Sequence, residues 1–196
     1  EYVTLDKTPS GSPIDSAEAL KEVLKSAATF QTVKIAGDIS MTAAEFQANY
    51  SETKSTNIDL NEKTLSLTGN SLQIVDDNKV TLTNGSVNGS LSVSGAGRLS
   101  LDQVEVTGLS GNYGVWIGGE AAEINIKDSV IVGDVYGITT NAGTAANYGV
   151  NGTISGTVIK TEETESDDNT AILLNVRGSL SFQNCDIEGG RQAVVC

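Results

Sequence analysis

LSLDQVEVTG, residues 99–108, alternates apolar and polar side chains like a half-buried strand, breaks phase midway and ends on glycine. The phrase returns as VTLTNGSVNG at 80–89, INIKDSVIVG at 124–133 and LSFQNCDIEG at 180–189. Aligned, the copies form columns. Leu82, Leu101, Ile126, Ile154 and Phe182 share one position, and Val87, Val106, Ile131, Ile159 and Ile187 follow five residues later. Gly89, Gly108, Gly133 and Gly189 come two residues after that, with Thr161 in the remaining copy. Successive members of the first column lie 19, 25, 28 and 28 residues apart. A second signature, a small residue followed by a β-branched one, falls between the phrases: Gly114-Val115, Gly137-Ile138, Ala171-Ile172 and Ala193-Val194.

A constant apolar phrase with variable spacers is the mark of stacked coils, since one coil cannot bury its apolar face alone. Each coil is predicted to hold three short strands. The first carries the Leu82 column, the second the Val87 column, and the third starts at the small-residue step. Alternation by two sets the inward faces, and like side chains stack about 4.8 Å apart. Leu99, Leu101, Val104 and Val106 are expected inside, with Asp102 and Glu105 outside and Gly108 releasing the chain into a loop.

The first part of the chain reads differently. Residues 1–13 look like a strand scrap and linker, and residues 14–55 like helices around a first strand. Leu20, Val23, Leu24, Ala27 and Ala28 make one helical stripe, with Asp15 as N-cap and Glu18 completing a capping box. A second helix begins at Thr42, with Glu45 in the reciprocal position and Phe46 and Tyr50 turned inward. TVKIAGDISM between them alternates like one strand. Residues 56–196 hold the coils.

With these columns and the preceding IDSAEALKEVLKSA helix, the chain resembles the pectin-lyase-like superfamily. The resemblance implies an all-β solenoid, a right-handed single-stranded parallel β-helix whose N-terminal amphipathic helix caps its open end. It also implies a bacterial origin. The chain breaks off inside a third strand, so further coils of a longer protein are expected over that edge. A start at Glu1 predicts a mature or trimmed polypeptide.

Composition narrows the function. The net charge is −13, which disfavours nucleic acid and anionic lipid. The absence of histidine excludes imidazole-dependent catalysis. No apolar run is long enough to insert into a membrane. The acidic Ser/Thr/Asn/Gly-rich composition predicts an extracellular or cell-surface protein.

Two groups of residues stand out. Tyr113, Trp116, Tyr136 and Tyr148 cluster in or near third strands, where aromatic faces suit sugars. Trp116 should point outward with Leu173 and Val195 as column mates, unless a loop at 140–151 covers the strip. The run TEETESDDN, 161–169, offers Glu162, Glu163, Glu165, Asp167 and Asp168, hard oxygen ligands suited to calcium. The competing reading is a solvated spacer. No other cofactor is implied. Asp102 beside Lys127 and Lys160 beside Glu188 read as cross-strand ion pairs rather than catalytic groups. Cys185 and Cys196 should face the core, and a disulfide between them is the alternative to free thiols.

The sequence thus supports a binding or adhesion module, without catalysis of its own, for carbohydrate or a host surface. A second reading is part of a polysaccharide lyase or glycoside hydrolase whose catalytic coils lie outside this chain. A third is a structural spacer.

Overall fold

A computed structural model describes residues 3–28, 30–50, 55–119, 121–140, 149–162 and 169–195. In chain order its elements are β1 (Val3–Leu5), α1 (Ala17–Ser26), β2 (Gln31–Lys34), β3 (Ile39–Thr42), α2 (Ala43–Tyr50), β4 (Ser55–Asp59), β5 (Thr64–Thr68) and β6 (Leu72–Ile74). Then come β7 (Lys79–Asn88), β8 (Leu91–Val93), β9 (Arg98–Thr107), β10 (Tyr113–Ile117), β11 (Glu123–Lys127), β12 (Val130–Gly133) and β13 (Tyr136–Thr139). The last are β14 (Gly149–Ser155), β15 (Val158–Thr161), β16 (Thr170–Leu173), β17 (Arg177–Gln183), β18 (Asp186–Glu188) and β19 (Gln192–Val195).

The strands stack as a parallel β-solenoid. One ladder runs β1-β2-β4-β7-β9-β11-β14-β17, and another runs β6-β8-β10-β13-β16-β19. Between them, β12 joins β9 to β15, and β15 joins β18. The registers reproduce the sequence columns. Leu82 pairs with Leu101, Leu101 with Ile126, Ile126 with Ile154 and Ile154 with Phe182. Val87, Val106, Ile131, Ile159 and Ile187 follow one another likewise. Both columns also extend toward the N-terminus, through Ile58 beside Leu82 and Leu65 beside Val87. The third-strand signature stacks Val115, Ile138, Ile172 and Val194.

Stacking alike on alike fills the interior. Leu82, Leu101, Ile126 and Ile154 are at most 1% exposed, and each such side chain contributes about 1.5–3 kcal/mol by leaving water. Among the described residues, the coil of β17, β18 and β19 has a neighbour on one side only. Phe182 and Ile187 are half-buried there, and Val194 is 45% exposed.

The bend between first and second strands has one recurrent cause. Two residues after each Leu82-column member, the backbone turns left-handed: Asn84 (φ 55°), Gln103 (58°), Asp128 (47°), Gly156 (58°) and Asn184 (52°). Asn, Asp and Gly tolerate this conformation best, which explains most of the column's composition. Inside the bend runs a buried polar ladder. The Ser129 hydroxyl accepts from the Val104 N–H (3.1 Å) and donates to the Lys127 carbonyl (2.7 Å). The Thr157 hydroxyl repeats this, accepting from the Ser129 N–H (3.4 Å) and donating to the Ser155 carbonyl (2.9 Å). In the next coil the Cys185 thiol donates to the carbonyls of Gln183 (3.5 Å) and Ile154 (3.4 Å). Cys185 is a free thiol packed against the core, so the disulfide alternative is not realised there. Cys196 lies outside the described residues.

The glycine column has a tighter role than releasing a loop. A Cβ on Gly108, Gly133 or Gly189 would run into the carbonyl oxygen of Tyr113, Tyr136 or Gln192, at the start of the next strand. Thr161 holds the same position in its coil, paired with Gly133.

At the other end, α1 and α2 pack against each other and into the same core. The N-cap of α1 is Ser16, not Asp15: the Ser16 hydroxyl accepts from the Ala19 N–H (3.3 Å). Ser16 has the required spacing to the third N–H, which Asp15 lacks. TVKIAGDISM forms two strands, β2 and β3, because the chain turns a corner between them. Each pairs with a different strand of the next coil, β4 and β5. The second capping box is present, with Thr42 N–H donating to Glu45 (2.9 Å) and Glu45 N–H to Thr42 Oγ1 (3.1 Å). Phe46 is fully buried, and the Tyr50 side chain lies outside the described residues.

Lys21 ties the two helices together, contacting Glu18 and, at 3.5 Å, Glu45. Hydrogen bonds from Thr42, then the charge of Lys21, hold the Glu45 carboxyl below its ordinary range. A depressed carboxylate stabilises the fold above its unfolded pKa, and that contribution is lost as pH falls through the folded value. Glu45→Gln should therefore flatten the acid side of the stability curve. Melting temperatures of both proteins between about pH 3 and 6 should converge at the acid end.

Candidate functional site

The third-strand ladder presents the aromatic residues. Tyr113 opens β10 and pairs in register with Tyr136, which opens β13. The hydroxyls of Tyr113 and Ser71 are 2.9 Å apart, which fixes the ring's tip. Val115 and Ile117 are fully buried, so Trp116 between them faces outward and is half-buried. Its column reads Gln73, Ser92, Trp116, Thr139, Leu173 and Val195. The indole lies back over the strand end, because a Cβ on Gly118 would meet Trp116 Cη2 at 2.6 Å. Glycine at 118 is what lets the ring lie flat. Tyr148 lies outside the described residues, as does most of the 140–151 loop expected to compete for this strip.

The acidic run falls mostly outside the described residues: Glu163, Glu165, Asp167 and Asp168. Glu162 is exposed, and its N–H donates to the Gly133 carbonyl (2.9 Å). Among the described residues no group of three or more carboxylate or thiol side chains is arranged to hold a metal ion.

A concavity that the sequence did not signal lies along the left-handed bend. It is a groove of about 720 Å³. Its lining comes from five successive coils: Lys34; Asp59, Asn61 and Glu62; Asn84 and Ser86; Gln103 and Glu105; Asp128 and Val130. The floor is the bend itself, where the left-handed residues turn the two outer faces toward each other. Asp59 organises one end. It accepts from the Asn61 N–H (2.9 Å) and the Asn84 amide (3.3 Å), and Lys34 is 3.9 Å away. At the other end Lys127 reaches Asp128 (3.3 Å) and Asp102 (3.8 Å). Asp128, then Asp102, holds the Lys127 ammonium above the usual lysine range. The Asp102–Lys127 pair is half-exposed, a solvent-screened cross-strand pair that adds little to stability. Lys160 and Glu188 are also side by side in register.

The outer face of the first-strand ladder is polar throughout. Its central column is Thr32, Asn57, Thr81, Ser100, Asn125, Thr153 and Ser181. These short side chains stand between longer charged ones, which leaves shallow hollows of about 270 and 300 Å³.

Among the described residues no helix is long and apolar enough to cross a membrane. Comparison with protein-family models, with curated proteins and with solved structures gave no match.

Proposed function

We propose that the chain is a glycan-recognition module of a secreted or cell-surface protein, without catalysis of its own. The observation that supports this is the outward, half-buried Trp116, with the half-buried Tyr113 opening the same strand and Tyr136 beside it on the next. Ring faces stack on the apolar faces of sugars, while tyrosine hydroxyls supply polar partners. The net charge of −13 turns away phosphate-rich ligands and favours neutral ones. The carboxylates of Asp59 and Asp128 are engaged in hydrogen bonding or ion pairing, a structural use rather than the paired free carboxyls of a glycosidase. Calcium at the 161–169 run remains a proposal of the sequence alone.

Trp116→Ala should weaken binding on an array of neutral glycans by roughly fivefold to thirtyfold, the effect of losing an aromatic contact. Its melting temperature should show that the fold is intact. Undiminished binding by a folded Trp116→Ala protein would sink this reading.

A further inference from the structure

We infer that Gly118 is the positioning residue of the aromatic site, and that it makes the site a one-faced platform for a single pyranose ring. This rests on the glycan reading of Trp116 and specifies it. The three nearest neighbours of a Cβ on Gly118 would all belong to the Trp116 indole: Cη2 at 2.6 Å, Cζ2 at 2.9 Å and Cζ3 at 3.3 Å. Contacts that short are repulsive, so a side chain at 118 would lift the ring. The backbone makes no such demand for glycine here, since φ of Gly118 lies outside the left-handed region. Gly119 is the contrast. Its φ is 122°, and a Cβ there would meet the Gly95 nitrogen, so glycine at 119 serves the turn. Gly118 is buried and its N–H donates to the Val93 carbonyl (2.9 Å), so the surface under the ring is backbone held in register.

That arrangement decides what the ring can hold. One indole face is spent on Gly118, so a sugar stacks on the opposite face and is not sandwiched. Trp116 is the one aromatic member of its column, and its register neighbours Ser92 and Thr139 are at most 4% exposed. Neither neighbour therefore offers a ligand a ring or a hydroxyl. Tyr113 has the parity of the buried Val115 and Ile117, and its tip is held at Ser71. The tyrosines thus supply hydroxyls rather than a second stacking face. A ring packed on fixed backbone has little rotamer freedom left to lose when a sugar arrives, so the platform is preorganised.

The chain has one tryptophan, so its emission reports this ring alone. The test titrates the whole chain with methyl β-glucopyranoside, cellobiose and cellotriose, and with methyl β-galactopyranoside and galactobiose, by calorimetry and by that emission. At least one series should bind and shift the emission, with affinity constant within about twofold from its single sugar to its longest member. Gly118→Ala should move the free protein's emission to longer wavelength and weaken binding by about threefold to tenfold. Phenylalanine lacks the ring atoms that cover Gly118. In a Trp116→Phe background, Gly118→Ala should therefore change the calorimetric affinity by less than about twofold. Should Gly118→Ala alone fail to fold, Trp116→Phe should restore folding. The inference is overturned by an affinity that climbs about tenfold along a series, by unchanged emission or full binding in Gly118→Ala, or by misfolding that Trp116→Phe does not rescue. If Trp116→Ala loses binding in any of those cases, the glycan reading stands without this inference. Intact binding by Trp116→Ala overturns both.

Discussion

Leu101→Ala should cost about 3–5 kcal/mol. Leu101 is 1% exposed and sits between Leu82 and Ile126, with Leu99 and Val104 buried close by in sequence. Coils on both sides are fixed by their own ladders, so the space it leaves cannot collapse. The cost is then the lost transfer energy plus a cavity. Phe182 shares the same column and is the larger side chain, yet Phe182→Ala should cost less than half as much. Its ring is half-buried, and among the described residues only the coil of β14 stacks on it. Urea unfolding of the three proteins would compare their midpoints. If Phe182→Ala proved the costlier change, side-chain size rather than position in the stack would govern stability. A lowered slope in the Phe182→Ala protein would instead report fraying of the terminal coil, as expected for a quasi-one-dimensional array.

Gly133→Ala should cost about 2–4 kcal/mol, a large penalty for one methyl group. The added Cβ would overlap the Tyr136 carbonyl oxygen and lie 2.9 Å from the Gly114 nitrogen. Both are backbone atoms held in ladders, so neither yields without disturbing β12, β13 or β10. Thr161 occupies the same register, paired with Gly133, and makes the control. Thr161→Ala removes an oxygen that accepts from the Gly190 N–H (3.3 Å) and should cost only about 1 kcal/mol. Thermal melts of the two variants would rank them. Equal costs would show that the close approach at residue 133 is absorbed elsewhere.

The ladder registers are legible because like residues recur at fixed phase: alternation alone puts Leu101 and Val106 on the inward side. The bend was not read, although Asn84, Asp128, Gly156 and Asn184 hold one aligned position. Gln103 blurs that signal, and a phase break in alternation does not say which residue turns left-handed. Misplacing the α1 cap by one residue has a local cause, since Asp15 and Ser16 are both good caps and only the bond to Ala19 separates them. Trp116 could be assigned outward from Val115 and Ile117 alone. The groove could not be foreseen, because its lining residues lie a coil apart in sequence and meet only through stacking. Its concavity belongs to the bend, not to any segment.

The polar ladder through Ser129, Thr157 and Cys185 has a mechanical meaning. Each member bonds to the coil beside it, and every strand pairing joins residues one coil apart. Force applied at the two ends would thus load most coils in series, with the Ser71–Tyr113 contact bridging the coil between them. The chain should give way one turn at a time. Each yielded turn of 25–28 residues would release about 80–100 Å of slack, so the stack would lengthen stepwise under load.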